Sequence, residues 1–309
     1  MELKAKVKRT ISQYKLLDKK DRIVVALSGG KDSSSVLSVL YNLGYDVCGL
    51  FIDLCVGCWS DESLESVVGL CKTLGVSLKV FDLKKELNFD MNKIQRTAKN
   101  KKVSGCYICG VLKKWLINRE AKKMGADKIV TGHNLDDEAE TILINFLKGN
   151  VLLGFNSGAI TGKRKGFVQR VKPLFFLLNN EIRKYAEEKG LTFVGEKCPY
   201  LRETYRLETR EWLDKISDDE KLKIVEGWQG VIPKLRSQFS VNNKTKPTQL
   251  VPRSENNKNS SGLNTRPPKI VNRKLMQGSD RINICKRCGE PCRGVVCKAC
   301  EVFGCLKDL

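Results

Sequence analysis

Along the first 235 positions, short unbroken apolar runs alternate with longer stretches in which apolar residues return every three or four places. Residues 22–27 contain IVVAL, 46–53 read DVCGLFID, 77–82 read SLKVFD and 128–131 read KIVT. Each run is four to eight residues long and flanked by charged, glycine or serine positions, so the pattern predicts four buried strands. Leu3, Val7, Ile11 and Tyr14 fall at helical spacing, and further helices are predicted over 34–43, 61–74, 111–124, 138–147, 179–189 and 217–235. The helix over 179–189 closes at Gly190, as a glycine stop should. Strands alternating with helices predict the α/β class, with a doubly wound, mostly parallel sheet covered on both faces.

Beyond Arg236 the periodicity lapses into Asn, Ser, Lys, Pro and Arg, which predicts a flexible basic linker over 236–280. A compact cysteine-rich module follows at 281–309, so the division is an N-terminal helix over 1–20, an α/β domain over 21–235, the linker and the module. The chain has 309 residues, too many for a small disulfide knot, and 41% of them are hydrophobic, too many for a fully disordered chain. No run approaches the ~20 apolar residues of a membrane span, and MELKAKVKRT lacks the apolar core of a leader. A cytoplasmic protein without a membrane partner is expected.

Charge narrows the class of partner. Lys+Arg number 56 against 35 Asp+Glu, a formal net charge of +21, and residues 236–309 hold 15 of the basic residues but only 5 of the acidic ones. That excess suits a polyanion such as a nucleic acid. There are 13 cysteines and one histidine, His133. In a cytosolic chain, cysteines set two apart point to metal or redox chemistry, and any metal site must be built almost wholly of thiolates.

Four motifs carry candidate chemistry. Ser28, Gly29, Gly30, Lys31, Asp32 and Ser33 (SGGKDS) follow the first strand and enter a helix, where free N–H groups, the helix dipole and close backbone approach favour a phosphate. The bland alternative is an ordinary strand-to-helix turn; the GxxxxGK[ST] pattern is absent. TGHNLDDEAET (131–141) repeats the arrangement after the fourth strand, with Gly132 and His133 beside Asp136, Asp137 and Glu138, acids that serve either Mg2+ or helix capping. Cys106 and Cys109, with Lys113 one turn on and Cys198 far along the chain, suit a shared metal or cluster, a redox pair or half a zinc site. Cys285, Cys288, Cys297 and Cys300 form a Cys-x2-Cys pair of pairs that suits tetrahedral Zn2+, with Lys286, Arg287, Arg293 and Lys298 around it available to RNA. Cys292 and Cys305 are surplus, Cys48 and Cys71 read as core, and Cys55 and Cys58 form an extra CxxC with persulfide, metal or inert readings open.

SGGKDS is the signature of the PP-loop ATP-pyrophosphatase superfamily, and this sequence resembles it closely. Together with GCYICGVLKK, TGHNLDDEAET, VKPL and CPY in that order, it resembles the tRNA 2-thiouridine synthetases over roughly residues 20–235 and again in the terminal module. The resemblance implies ATP and Mg2+ in a crevice bordered by Ala26, Ile52 and Asp53, a 4Fe-4S cluster on Cys106, Cys109 and Cys198, and Lys113 and Asp137 as catalytic groups. It implies that the oxygen at carbon 2 of a tRNA uridine is adenylated and replaced by sulfur delivered through the cluster. A sulfur donor, either a ubiquitin-like thiocarboxylate protein or free sulfide, and a homodimer are implied with it. The relatives' N-terminal zinc finger is missing, and Cys55 and Cys58 fall where they carry glycine-rich sequence. A cytidine 2-thiolase, a lysidine synthetase, or a non-catalytic ATP- and RNA-binding metalloprotein are the alternative readings.

Overall fold

The computed structural model describes residues 2–101, 103–195, 198–200, 205–241 and 282–304. Its sheet has five parallel strands, β1 (Ile23–Leu27), β2 (Val47–Asp53), β3 (Leu78–Asp82), β4 (Lys128–Val130) and β5 (Gln169–Val171), in the order β3-β2-β1-β4-β5. The four runs of the apolar pattern are its first four strands. The fifth carries a single fully buried residue, Val171, in three positions, too short and too polar for a periodicity signal.

Period-two alternation divides the strand side chains between two cores. Ile23, Val25, Leu27 and Phe51 face one core, where α1 (Glu2–Tyr14), α2 (Lys31–Asn42) and α3 (Cys58–Leu74) pack. Val24, Leu50, Ile52 and Ile129 face the other, closed by α4 (Leu83–Leu87), α5 (Met91–Asn100) and α6 (Gly105–Lys123). Three further helices, α7 (Leu135–Leu147), α8 (Asn179–Glu188) and α10 (Asp218–Val241), join the first core, while α9 (Tyr205–Leu213) lies against α7. Strand order runs outward in opposite directions from β1 and β4. The crevice beyond their carboxyl ends is therefore the topological switch point, where ligands of such sheets bind.

Several boundaries depart from the sequence pattern. The expected helix over 111–124 begins at Gly105, because Ser104 caps it by accepting a hydrogen bond from the Tyr107 N–H. Cys106 and Cys109 thus lie within the helix rather than ahead of it. The last helix of the domain runs through Pro233 to Val241 instead of stopping at Leu235. The rest of the expected linker, 242–280, lies outside the described residues, as does Cys305. In the terminal module β6 (Asn283–Ile284) and β7 (Pro291–Cys292) pair antiparallel and precede α11 (Lys298–Phe303). Cys48 and Cys71 are buried. Among the described residues no helix is long and apolar enough to cross a membrane.

Candidate functional site

Both phosphate-type loops lie at the switch point. Residues 28–30 leave β1 and α2 starts at Lys31, with Gly30 as a cap that offers no side-chain hydrogen bond to the first-turn N–H groups. Those groups are left for an anion. Gly29 has φ +77°, and a Cβ there would come within 2.7 Å of the Ser63 backbone. The loop is stapled by Ser33, whose Oγ accepts from the Ser28 N–H at 3.2 Å and donates to the Gly30 carbonyl at 3.0 Å.

Gly132, after β4, touches the first loop directly: a Cβ would stand 2.8 Å from Asp32 C and Ser33 N. Asn134 caps α7 by accepting from the Asp137 N–H, while Asp137 Oδ2 accepts from the Asn134 N–H. The same Asn134 donates through Nδ2 to Asp32 Oδ1 at 3.2 Å, tying the two loops together. Lys31 is occupied beside them, donating to Asp32 at 2.6 Å and to Asn179.

Between the loops opens a cavity of about 350 Å³, within the range of small-molecule sites. Ser28, Asp32, Ser33, Gly132, His133 and Asp137 form its polar wall, Ala26, Ile52, Leu54 and Trp59 its apolar wall, and Lys113 enters from α6. Gly29, Gly30, Lys31 and Asp53 are not among its lining residues. His133 keeps an exposed edge at the mouth, with Nδ1 3.0 Å from Thr131 Oγ1. Desolvation by the surrounding protein holds its pKa below the ordinary histidine value, against the opposing pull of Asp137.

The three acids after Asn134 have separate duties. Asp136 accepts from the Asn179 N–H and from Lys221, Glu138 is buried against Lys172 and Ser157, and Asp137 lines the cavity with Oδ1 paired to Arg210 at 3.0 Å. Capping and cavity lining therefore fall on the same residue, Asp137.

On α6, Ile108, Leu112 and Leu116 are buried against the sheet. Cys106, Cys109 and Lys113, at i, i+3 and i+7, share another stripe. Burial raises the Cys109 thiol pKa; Lys113 opposes the rise, while Cys106 and Cys198 add to it. The three cysteines thus gather within electrostatic reach. They do not form a group with all sulfurs within 4.8 Å, as the ribbon cysteines do; a cluster of four irons is wider than one ion and spreads its thiolates accordingly.

A basic cluster at the mouth escaped sequence reading. Lys114 has its pKa lowered by burial and then by Arg170, Arg206 and Lys172, and Arg170 Nη2 donates to the Lys114 carbonyl at 2.9 Å. These residues come from α6, β5 with the position after it, and α9. Only their assembly makes the patch.

In the terminal module the sulfurs of Cys285, Cys288, Cys297 and Cys300 all lie within 4.8 Å of one another, with Cys288 and Cys297 at 3.6 Å. Tetrahedral Zn2+ with Zn–S of about 2.3 Å requires sulfurs about 3.8 Å apart, so the quartet fits one zinc ion. Burial would raise the Cys285 pKa, but backbone N–H groups of Cys297, Cys288 and Arg287 outweigh it and bring the thiol down to about 6, while burial pushes the Cys297 thiol up, so a bound metal would have to displace the Cys297 proton. The module packs on α6 through Val111 and Trp115, and Glu290 accepts from Asn118 and Lys122. Cys292 is buried there, its Sγ donating to the Gly294 carbonyl. Cys55 and Cys58 part company: Cys55 lies with Asp53 and Asp82, whereas Cys58 is exposed at the start of α3.

Known proteins share this chain's family and fold. Residues 2–211 match the family model of the PP-loop domain. A tRNA-5-methyluridine(54) 2-sulfurtransferase of Pyrococcus horikoshii is 31% identical over 98% of this chain and 85% of its own. The cytoplasmic tRNA 2-thiolation protein 1 of Chlamydomonas reinhardtii is 37% identical over 71% of this chain and 63% of its own. Among solved structures, the U34-tRNA thiolase NcsA from Methanococcus maripaludis, with its 4Fe-4S cluster, superposes with a TM-score of 0.67 at 25% identity, covering 75% of this chain and 78% of the other.

Proposed function

The chain belongs to the PP-loop domain family and to its tRNA-thiolating members, and from that premise we propose that it is an ATP-dependent tRNA uridine 2-sulfurtransferase that makes 2-thiouridine. The observation that carries the reading is α6. One face of this helix sends Lys113 into the nucleotide cavity and presents Cys109 one turn earlier and Cys106 two turns earlier. Activation by ATP and delivery of sulfur are thereby set side by side.

In the proposed reaction the uridine O2 attacks the α-phosphorus of ATP, pyrophosphate leaves, sulfide then bonds to carbon 2, and AMP departs with the former O2. The uncapped N–H groups of α2 and the Ser28 and Ser33 hydroxyls would hold the phosphates, with Gly29 and Gly30 allowing the close approach. Ala26 and Ile52 would flank the adenosine, and His133, neutral at pH 7, would border the nucleotide without repelling a cation. Asp53 would support this wall from behind. Asp32 and Asp137, the two carboxylates of the cavity, fit Mg2+, an ion that prefers few carboxylates and substrate phosphates. Lys113 would stabilise charge developing on the phosphate, and Asp137, held in place by Arg210 and its cap, would orient the metal or take up a proton.

Cys106, Cys109 and Cys198 fit a 4Fe-4S cluster, which when bound supplies one iron without a protein ligand where sulfide can be held. This thiol set favours thiolation over lysidine synthesis, which requires no cluster. Cys285, Cys288, Cys297 and Cys300 would hold Zn2+ in a ribbon at 281–309 seated on α6 of the catalytic domain at 21–235, with the helix at 1–20 on the domain's flank and the linker following the end of α10 at Val241. The basic cluster at the mouth suits the tRNA backbone; a ubiquitin-like thiocarboxylate protein or free sulfide would supply sulfur, in a cytoplasmic homodimer. Lys113→Ala tests the assignment. The substitution is expected to lower tRNA-dependent AMP and pyrophosphate release by about 100-fold or more while ATP still binds, and unchanged release would remove Lys113 from the reaction.

A further inference from the structure

At the carboxyl ends of β2 and β3, Asp53 and Asp82 stand opposite one another in register. Cys55 turns back between them with φ +55°. Its N–H donates to Asp53 Oδ1 at 2.7 Å, and its Sγ lies 3.5 Å from Asp82 Oδ1. One oxygen of each carboxylate and the sulfur lie within 4.8 Å of one another.

Part of this arrangement is local bonding. Asp82 caps α4 by accepting from the Lys84 and Lys85 N–H groups, and the exposed Lys85 ammonium approaches its Oδ2 at 3.4 Å. Asp53 has no such account. It is only 8% exposed, and among the described residues its carboxylate meets one donor, the Cys55 N–H, and no lysine or arginine. A carboxylate so buried, beside a second carboxylate, calls for a cation. Among the described residues no side chain supplies one to Asp53.

We propose that Asp53, Cys55 and Asp82 form a binding site for a thiophilic divalent cation of the Zn2+ class, distinct from the nucleotide cavity, the α6 thiols and the ribbon. One sulfur and two carboxylate oxygens suit Zn2+ and exclude the purely oxygen-seeking Mg2+ and Ca2+. Coordination releases the Cys55 proton to solvent and leaves the thiolate on the ion, with the fourth position open to water. Burial, with Asp53 and Asp82 adding to it, pushes the metal-free thiol up to about 11, so without a cation it is a poor nucleophile for persulfide or redox chemistry. The ion ties the end of β2 to the end of β3. It thereby fixes the loop that delivers Leu54 and Trp59 to the cavity wall.

The test is the zinc content of the full-length chain, saturated with Zn2+, freed of loosely held metal and counted by mass spectrometry. Cys55→Gly suits the left-handed backbone and removes the thiol together with its Cβ, and Asp53→Asn keeps an oxygen to accept from the Cys55 N–H; circular dichroism checks that both are folded. Each folded variant is expected to hold one zinc ion fewer per chain than the wild type. Equal zinc in the wild type and Cys55→Gly overturns the proposal, whatever the thiolation assay reports.

Discussion

Gly132 is the residue at which the two halves of the site meet, since its missing Cβ would collide with backbone atoms of Asp32 and Ser33 rather than with a movable side chain. Gly132→Ala must therefore push the loops apart, and ATP affinity is expected to fall about tenfold or more, equivalent to about 1.4 kcal/mol, by isothermal titration calorimetry; undiminished affinity would place the phosphates elsewhere. At this scale the sequence was informative wherever one residue carries one duty. SGGKDS and TGHNLDDE led to the cavity, and Ala26, Ile52, Lys113 and Asp137 all line it. Asp53 shows the limit: its place at the end of β2 was legible, but its turn toward Cys55 and Asp82 was not, because that depends on the register of β2 with β3.

Helix α9 illustrates what the apolar pattern omits at the level of elements. Among the described side chains of YRLETREWL, little is buried beyond Thr209 and Leu213, and ion pairs join it to α7. Arg206 pairs with Glu140, and Arg210 with both Glu140 and Asp137. Glu140 is fully buried and the two arginines are about half exposed. Glu140→Ala should therefore cost about 2 kcal/mol, less than a fully buried pair, lower the melting temperature in a thermal scan and loosen the Asp137 carboxylate. A variant as stable as the parent would show that α9 is held by other contacts. Helix α6 was legible in its apolar spacing but not in its start, which Ser104 moves upstream so that the thiols become helical.

The whole molecule joins a five-stranded parallel sheet to a cysteine ribbon seated on the helix that bears Lys113. A net charge of +21 predicts that tRNA affinity falls steeply with salt, log K against log salt sloping by about −0.7 to −0.9 for each phosphate neutralised. Replacing Lys114 and Arg170 by Gln should reduce that slope by about one per lost phosphate contact, measured by filter binding across salt concentrations; an unchanged slope would exclude the patch from the RNA surface. Conversion of uridine to 2-thiouridine at a site joining ATP to three cysteines is measured by nucleoside mass spectrometry of tRNA after anaerobic incubation with reconstituted protein, ATP, Mg2+ and sulfide. The wild type is expected to yield 2-thiouridine, and Cys106→Ala, Cys109→Ala and Cys198→Ala to yield none. Undiminished 2-thiouridine in all three variants, or none with the wild type, would contradict this assignment.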